Sequence, residues 1–312
     1  MRRRFALVYN ATAGVARPRL LDGVIAALKQ AGGEVFQLGA RTAAEASARV
    51  REAAQNTAAD AVIAAGGDGT FRAVAAGAAG TALPVGVVPL GTGNVIAHEL
   101  GLPRPSAQIA SVLRSGPVIE ASGGVVNGAP FFLMTGAGFD GQIVSKLNYR
   151  TKRALGRLAY AAPVLATLTE GPRSFDAEID GQTFEASWVI ITNASRYGGS
   201  FRLTNKTRVG ADGLIAVVVE ARSRLQLASA SIALGLGRLI DPATRPRYVR
   251  VIPCQHARLG ITSKAAAEID GDASGSTPLE VHAGGPTVRL IVPAGYVAAS
   301  TNRHANHVLS KL

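Results

Sequence analysis

The 312-residue sequence predicts a two-part α/β protein: an N-terminal domain with a doubly wound parallel sheet, then a mainly antiparallel β-sandwich. Three observations predict it. Short apolar runs alternate with helical patterns through the first part of the chain, joined by short loops, which is the pattern of a parallel sheet. Turns rich in Asn, Thr and Gly close the carboxyl ends of those runs. Farther on, the texture changes to many short strand-like runs separated by Gly, Asp and Asn turns, which suggests a sandwich or barrel.

Phe5 to Tyr9 reads as a buried strand and runs into Asn10-Ala11-Thr12-Ala13-Gly14. Leu20, Leu21, Val24, Ile25 and Leu28 then mark one face of a helix. Strand Glu34 to Leu38, a turn from Gly39 to Thr42 and an alanine-rich helix from Ala43 to about Asn56 come next. The run Ala61 to Ala65 passes directly into Gly66-Gly67-Asp68-Gly69-Thr70 and a helix from Phe71 to Ala79. Strand Val85 to Val88 opens into Pro89-Leu90-Gly91-Thr92-Gly93-Asn94 before helix Val95 to Leu100. All these turns fall at the sheet edge where doubly wound folds take their ligands.

Beyond a helix from Ser106 to Leu113, strand-like runs cover Val118 to Val126 and Ala129 to Thr135, joined by the hairpin dipeptide Asn127-Gly128. Others are Ser174 to Ile179, Phe184 to Ile191, Leu214 to Glu220, Tyr248 to Ile252, Ala257 to Thr262, Ala266 to Ile269, Leu279 to His282 and Val288 to Val292. Asp180-Gly181 marks a second hairpin, and helices are expected over about Gly141 to Thr169 and Leu225 to Leu239. The boundary is drawn near residue 120. That gives a first domain at 1–120, a sandwich at 121–298 and a tail at 299–312 that is free to return to the first domain. A cleft between the domains is the default site.

Composition narrows the function classes. With 47% hydrophobic and 17% charged residues the chain is globular in balance, and no apolar run reaches the length of a spanning helix. Met1-Arg2-Arg3-Arg4 has the charge of an export signal, but the apolar part behind it is too short, so a first strand and a cytoplasmic location are expected. The single Cys254 excludes an internal disulfide, and His98, His256, His282, His304 and His307 show no metal-ligand spacing. Net charge is +12, which draws a protein toward polyanions. No RNP motif, zinc finger or recognition helix is present, so specific nucleic-acid binding is not expected and an anionic lipid surface is the better partner. Trp188 reads as a core strand residue.

The loop Gly66 to Thr70 has the chemistry of a phosphate cradle. Glycines let the backbone lie against a ligand, and the N–H groups and dipole of the following helix point the same way. Asp68 would repel a triphosphate unless a cation such as Mg²⁺ sits between them. For that loop alone, an ordinary strand–helix turn with Asp68 as N-cap reads as well. In the second domain, Asp140 follows a glycine-flanked strand end, Asp212 lies in Val209-Gly210-Ala211-Asp212-Gly213-Leu214, and Asp270-Gly271-Asp272 ends an apolar run. Two acids separated by one residue rest poorly together unless one holds a proton or a metal shares them.

Taken as a set, Asn10 to Gly14, Gly66 to Thr70 and Pro89 to Asn94, followed by Gly138-Phe139-Asp140, Asp212-Gly213-Leu214 and Asp270-Gly271-Asp272, resemble the motifs of the diacylglycerol kinase catalytic domain family. They are most similar to those of its small bacterial lipid kinases. The resemblance covers nearly the whole chain. Gly-Gly-Asp-Gly-Thr alone is shared with NAD kinases and phosphofructokinases; its pairing with Pro-x-Gly-Thr-x-Asn is more specific. It implies an NAD kinase/phosphofructokinase-like first domain and an ATP- and Mg²⁺-dependent kinase that phosphorylates a lipid hydroxyl. ATP would lie on Asn10, Ala11, Thr12, Ala13, Gly14, Thr42, Gly66, Gly67, Asp68, Gly69, Thr70, Phe71, Arg72, Thr92 and Asn94. Asp270 and Asp272 would serve as general base and metal-side carboxylate. Val209, Asp212 and Leu214 would hold Mg²⁺ through one side chain and backbone carbonyls, with Asp68 acting through ATP-bound Mg²⁺.

The chain departs from the family pattern at Ala11 (usually Pro), at Phe71-Arg72-Ala73 (usually x-Asn-Glu), at Val95 (often Asp) and at Asp272 (usually Glu). Arg72 offers a phosphate contact instead. Rival readings are a soluble NAD kinase-like enzyme and a catalytically dead nucleotide-binding module. A lipid acceptor also implies transient contact with an anionic membrane. Arg150, Lys152 and Arg153, followed by Leu155, Leu158, Ala161, Val164, Leu165 and Leu168, read either as a helix for that contact or as one packed on the sandwich. The acceptor lipid and a homodimeric state stay open.

Overall fold

The computed structural model describes residues 1–9, 18–148, 151 and 156–298. The chain divides into two compact units: Met1–Ala121 joined by the segment that begins at Val288, and Ser122–Thr287. Both fold classes expected from sequence are present.

The first unit alternates β1 (Arg4–Tyr9), α1 (Pro18–Gln30), β2 (Glu34–Leu38), α2 (Ala43–Gln55), β3 (Ala61–Gly66), α3 (Asp68–Ala78), β4 (Val85–Pro89), α4 (Val95–Leu100) and α5 (Ser106–Ser115). The strands run parallel in the order β2-β1-β3-β4. All six residues of β3 are buried, which is why it reads as a continuous apolar run without alternation. One face packs Phe5, Leu7, Ile63 and Ala65 against Leu21, Val24 and Leu28 of α1 and Ile109 and Leu113 of α5. On α3, Gly77 lies against the α2 backbone at Ser47 and is 2.8 Å from Val50 Cβ when a Cβ is built on it. The Ser47 hydroxyl also donates to Ala73 O at 3.0 Å.

The later elements are β5 (Val118–Val126), β6 (Ala129–Phe131), β7 (Met134–Gly138), α6 (Phe139–Ser145), a 3₁₀ turn at Gly156–Tyr160 and α7 (Ala161–Glu170). Then come β8 (Phe175–Ile179), β9 (Gln182–Ala186), β10 (Trp188–Thr192), β11 (Arg196–Tyr197), β12 (Phe201–Arg202) and β13 (Leu214–Val219). α8 (Arg224–Gly235), β14 (Val249–Cys254), β15 (His256–Leu259), β16 (Ala266–Ile269), β17 (Asp272–Ser276) and β18 (Leu279–Ile291) complete the order. Within the second unit, β18, β15, β8 and β9 form one antiparallel sheet, with β5 and β6 beside β18; β14-β13-β10-β7-β16-β17 form the other. The core of this unit lies between them: Phe131, Phe175, Ile179, Leu259 and Val281 meet Val189, Ile191, Ala216, Val218 and Ala267.

Hairpin signals were placed correctly. Asn127 and Asp180 have positive φ near 48° and each is followed by a glycine of positive φ, as two-residue hairpin turns require; Asp270-Gly271, not expected as a hairpin, has the same geometry. Besides shifts of a few residues at strand ends and the unexpected short strands β11, β12 and β17, three differences have a clear cause. The run 184–191 is cut at Ser187, because β9 belongs to one sheet and β10 to the other. The run 129–135 is cut at Phe132 and Leu133, whose amides turn toward Asp270. The two strands expected at 279–282 and 288–292 are one, because Gly284 at φ 76° carries the backbone through a segment that reads as a turn. Its residues up to His282 pair with β15, and Leu290 pairs with Val85 in the first unit.

The α2–α3 contact gives the first prediction. Gly77→Ala places a methyl on the Ser47 carbonyl, so urea unfolding should show a loss of about 1–3 kcal/mol; an unchanged midpoint would mean that the helices separate without cost.

Candidate functional site

Two glycine turns leave the carboxyl ends of adjacent strands β3 and β4 and bind each other. Leu90 and Gly91 both donate their N–H to Gly66 O, at 2.9 and 3.3 Å. Asn94, left-handed at φ 49°, folds its side chain back. Its Oδ1 accepts from Gly91 N at 2.9 Å and its Nδ2 donates to Gly91 O at 2.6 Å. A Cβ on Gly91 would lie 2.5 Å from Gly67 Cα, one on Gly93 would lie 3.2 Å from Asp68 Oδ2, and one on Gly66 would strike Thr70.

Asp68 is the first residue of α3, not its N-cap. Gly67 occupies the cap and gives no side-chain hydrogen bond, so the opening amides of this 11-residue helix are not capped from it. Asp68 Oδ1 instead accepts from Ile96 N at 3.1 Å, tying α3 to the first turn of α4. Thr70, Arg72 and Thr92 are half-buried around this turn pair, whereas Phe71 is 2% exposed and has only its backbone to offer. Thr42 is the N-cap of α2, its hydroxyl accepting from Glu45 N at 3.1 Å. Asn10, Ala11, Thr12, Ala13 and Gly14 lie outside the described residues; Tyr9, just before them, pairs with Ala65 at the end of β3.

In the second unit the two acids of Asp270-Gly271-Asp272 have different surroundings. Asp270 is buried in the β16–β17 turn, and its carboxylate accepts three backbone N–H groups: Phe132 at 3.1 Å, Leu133 at 2.9 Å and Met134 at 3.0 Å. Its own N–H donates to Met134 O at 2.8 Å, so this side chain ties the turn to the start of β7. Asp272 opens β17 opposite Ile269 and is half-buried. Val209 and Leu214 are buried at the ends of a loop whose Asp212 is exposed, with Gly210 and Gly213 at φ 89° and 76°.

A second acidic group was not expected as a unit. Asp140, at the start of α6, and Glu268, in the middle of β16, are each 2% exposed and influence one another. Asp140 Oδ1 accepts from Gly141 N at 2.8 Å and Glu268 Oε2 from Gly271 N at 2.7 Å. The other oxygen of each has no hydrogen-bond partner among the described residues. Burial pushes the Asp140 carboxyl up to about 7, against the pull of the Gly141 N–H and, more weakly, of the Trp188 indole; Trp188 Nε1 still closes no hydrogen bond of full geometry. Burial, and next the charge of Asp140, raise Glu268 well above the usual carboxylate range. Gly136, cross-strand from Glu268, makes the room: a Cβ there would lie 2.9 Å from Asp140 Oδ2 and 2.5 Å from Val189 O. Trp188 is a buried strand residue as expected, with the rings of Phe139 and Tyr197 at 5.2 and 6.0 Å. The signal for Glu268 was its place inside the apolar run Ala266 to Ile269, where a charge has no solvent to face.

A parallel domain with paired glycine turns, followed by an acid-bearing sandwich, defines a phosphotransferase that acts on an alcohol group. Residues 4–126 match the diacylglycerol kinase catalytic domain, and residues 134–292, half of the chain, match the YegS C-terminal NAD kinase beta sandwich-like domain. The chain belongs to this lipid-kinase family. It is 27% identical over 288 residues to a diacylglycerol kinase of Bacillus subtilis, covering 89% of this chain and 92% of that one. It is 28% identical over 238 residues to the Synechocystis protein sll0036, covering 74% of this chain but only 54%, about half, of that relative. A solved Bacillus anthracis str. Sterne structure shares the fold, with a TM-score of 0.75 at 20% identity over 95% of this chain and 97% of that one. Among the described residues, no helix is long and apolar enough to cross a membrane.

The raised Asp140 sets a pH dependence. In the unfolded chain it titrates near 3.8, and in the folded protein at about 7. Between those values the folded state holds more protons, so its contribution to stability is present below pH 3.8 and declines as pH rises toward 7. Asp140→Asn should flatten the fall in urea midpoint between mildly acidic and mildly alkaline pH; a slope equal to the native protein's would remove the assignment.

Proposed function

We propose that this protein transfers the γ-phosphoryl group of ATP, with Mg²⁺, to a hydroxyl of a membrane lipid of the diacylglycerol or long-chain-base kind. One observation carries this reading: two glycine turns held backbone to backbone beside the start of α3, whose cap position is itself a glycine. Side chains would fill that cradle, whereas bare amides suit phosphate oxygens. The residues that would hold the nucleotide are Asn10 to Gly14, Thr42, Gly66 to Arg72, Thr92 and Asn94. Asp68, through the nucleotide, and Asp212, with the carbonyls of Val209 and Leu214, would hold Mg²⁺, whose charge would offset that of the phosphates.

The acceptor hydroxyl must lose one proton as its oxygen bonds to the γ-phosphorus and ADP leaves. Asp270 spends its carboxylate on three backbone N–H groups, so we assign it to positioning and assign the proton to Asp272. A lipid acceptor is favoured over NAD by the surface of α7 and α8, which contact each other. Leu165 on α7 is 64% exposed, Leu225 on α8 is 83% exposed, and Leu158, Ile232 and Leu236 are also exposed. Exposed Arg222, Arg224 and Arg238 flank α8. Apolar side chains bordered by cations suit an anionic bilayer surface.

The direct test is labelled Mg·ATP with a total lipid extract, or with NAD, and mass spectrometry of the products. Label in a lipid is expected; label in NAD, or in neither, rejects the reading. Asp272→Asn should lower turnover by a factor on the order of 10² with an unchanged urea midpoint. Asp270→Asn should lose stability instead, about 1–3 kcal/mol for each backbone N–H left unpaired. Native turnover in the Asp272 variant would remove the assignment. Binding to anionic vesicles should weaken with salt and with Leu225→Ser plus Ile232→Ser; no binding at any salt concentration would reject membrane contact.

A further inference from the structure

The sequence spacing of the histidines shows no metal motif, yet the fold brings two of them together. His256 of β15 and His282 of β18 are direct cross-strand partners, and Glu280 stands two residues before His282 on the same face. The imidazole rings stack with centroids 4.6 Å apart. Glu280 Oε1 lies 3.3 Å from His256 Nε2 and 3.6 Å from His282 Nε2. One ligand atom from each of the three falls within 4.8 Å of the others, and among the described residues this is the one such group.

The 3.3 Å approach of Glu280 Oε1 to His256 Nε2 is a long hydrogen bond, and the same spacing also suits two ligands of one ion. An N–H···O bond of ordinary strength closes to about 2.9–3.0 Å. A tetrahedral ion with bonds of about 2.0–2.2 Å to nitrogen and oxygen keeps its donor atoms roughly 3.3 Å apart. The side chains are 36%, 53% and 58% exposed for His256, His282 and Glu280, open enough for water to fill a fourth position. Nearby charge also decides whether a cation is tolerated. Arg258, opposite Glu280, has its guanidinium closed on both oxygens of Glu178 at 2.8 and 2.9 Å. The Asp180 carboxylate accepts from His256 N at 2.8 Å and adds negative charge nearby.

We propose that His256, Glu280 and His282 form a binding site for a divalent transition-metal ion, Zn²⁺ being the physiological class, that clips β15 to β18. It is separate in donor chemistry from any Mg²⁺ used in phosphoryl transfer. Imidazole nitrogens select Zn²⁺, Ni²⁺ or Cu²⁺, whereas Mg²⁺ prefers an all-oxygen octahedron. An ion held by two strands ties their backbones together, so it stabilises the folded state by mass action.

The test is calorimetric titration of the untagged full chain with ZnCl₂ in millimolar Mg²⁺, which occupies oxygen-only sites. One Zn²⁺ per chain is expected, with a rise in unfolding temperature. His256→Asn with His282→Asn should weaken binding by at least about the 10–100-fold that loss of an outer-shell partner alone costs, and should abolish the rise in unfolding temperature. Glu280→Gln should weaken binding less, and His304→Ala with His307→Ala should leave it unchanged. Circular dichroism of each variant checks folding. Native Zn²⁺ affinity in the His256/His282 double variant, or no binding to the native chain below millimolar Zn²⁺, overturns the proposal.

Discussion

The first unit depends on how closely two peptide backbones can approach at Gly66–Gly67 and Gly91. Strands β3 and β4 are parallel and adjacent, so the turns leaving them must pass side by side. They do so with Gly66 O accepting two amides from the neighbouring turn. Every other feature there follows from that contact. Asn94 takes a left-handed conformation to close the second turn, and Asp68 reaches across to α4 because Gly67 has taken the cap position. The result is a pair of glycine-rich main-chain turns set at the positive end of a helix.

The second unit meets a different constraint: it places carboxylates inside a sandwich. Asp270 is compensated by three backbone amides, so its burial strengthens the link between the β16–β17 turn and β7. Asp140 and Glu268 are compensated only in part, and both are held toward their protonated forms. Asp270 meets a row of N–H donors, whereas burial, and for Glu268 next the charge of Asp140, acts on the other two with only one full backbone hydrogen bond each.

Much of this was legible in the sequence, for identifiable reasons. Buried parallel strands read as apolar runs, and Asn127-Gly128 and Asp180-Gly181 read as hairpins because the required positive φ leaves few alternatives. The turns at Gly66 and Gly91 could be singled out because local residue type decides their geometry. What escaped depends on pairing between distant strands. His256 and His282 are 26 positions apart and meet only through the β15–β18 register. Glu268 meets Asp140 because α6 packs on β16, an arrangement that local sequence does not show. The single long strand β18 was read as two, since Gly284-Gly285-Pro286 has the composition of a turn and only its neighbours keep it extended.

Gly136 is held to glycine from two sides. The room that admits the Asp140 oxygen exists because residue 136 carries no side chain. A methyl group there would compete with that oxygen for the same space, and the carboxylate would have to leave or shrink. The same methyl would also meet the Val189 carbonyl, so a smaller residue at 140 would not by itself make room, and glycine is expected to persist at 136.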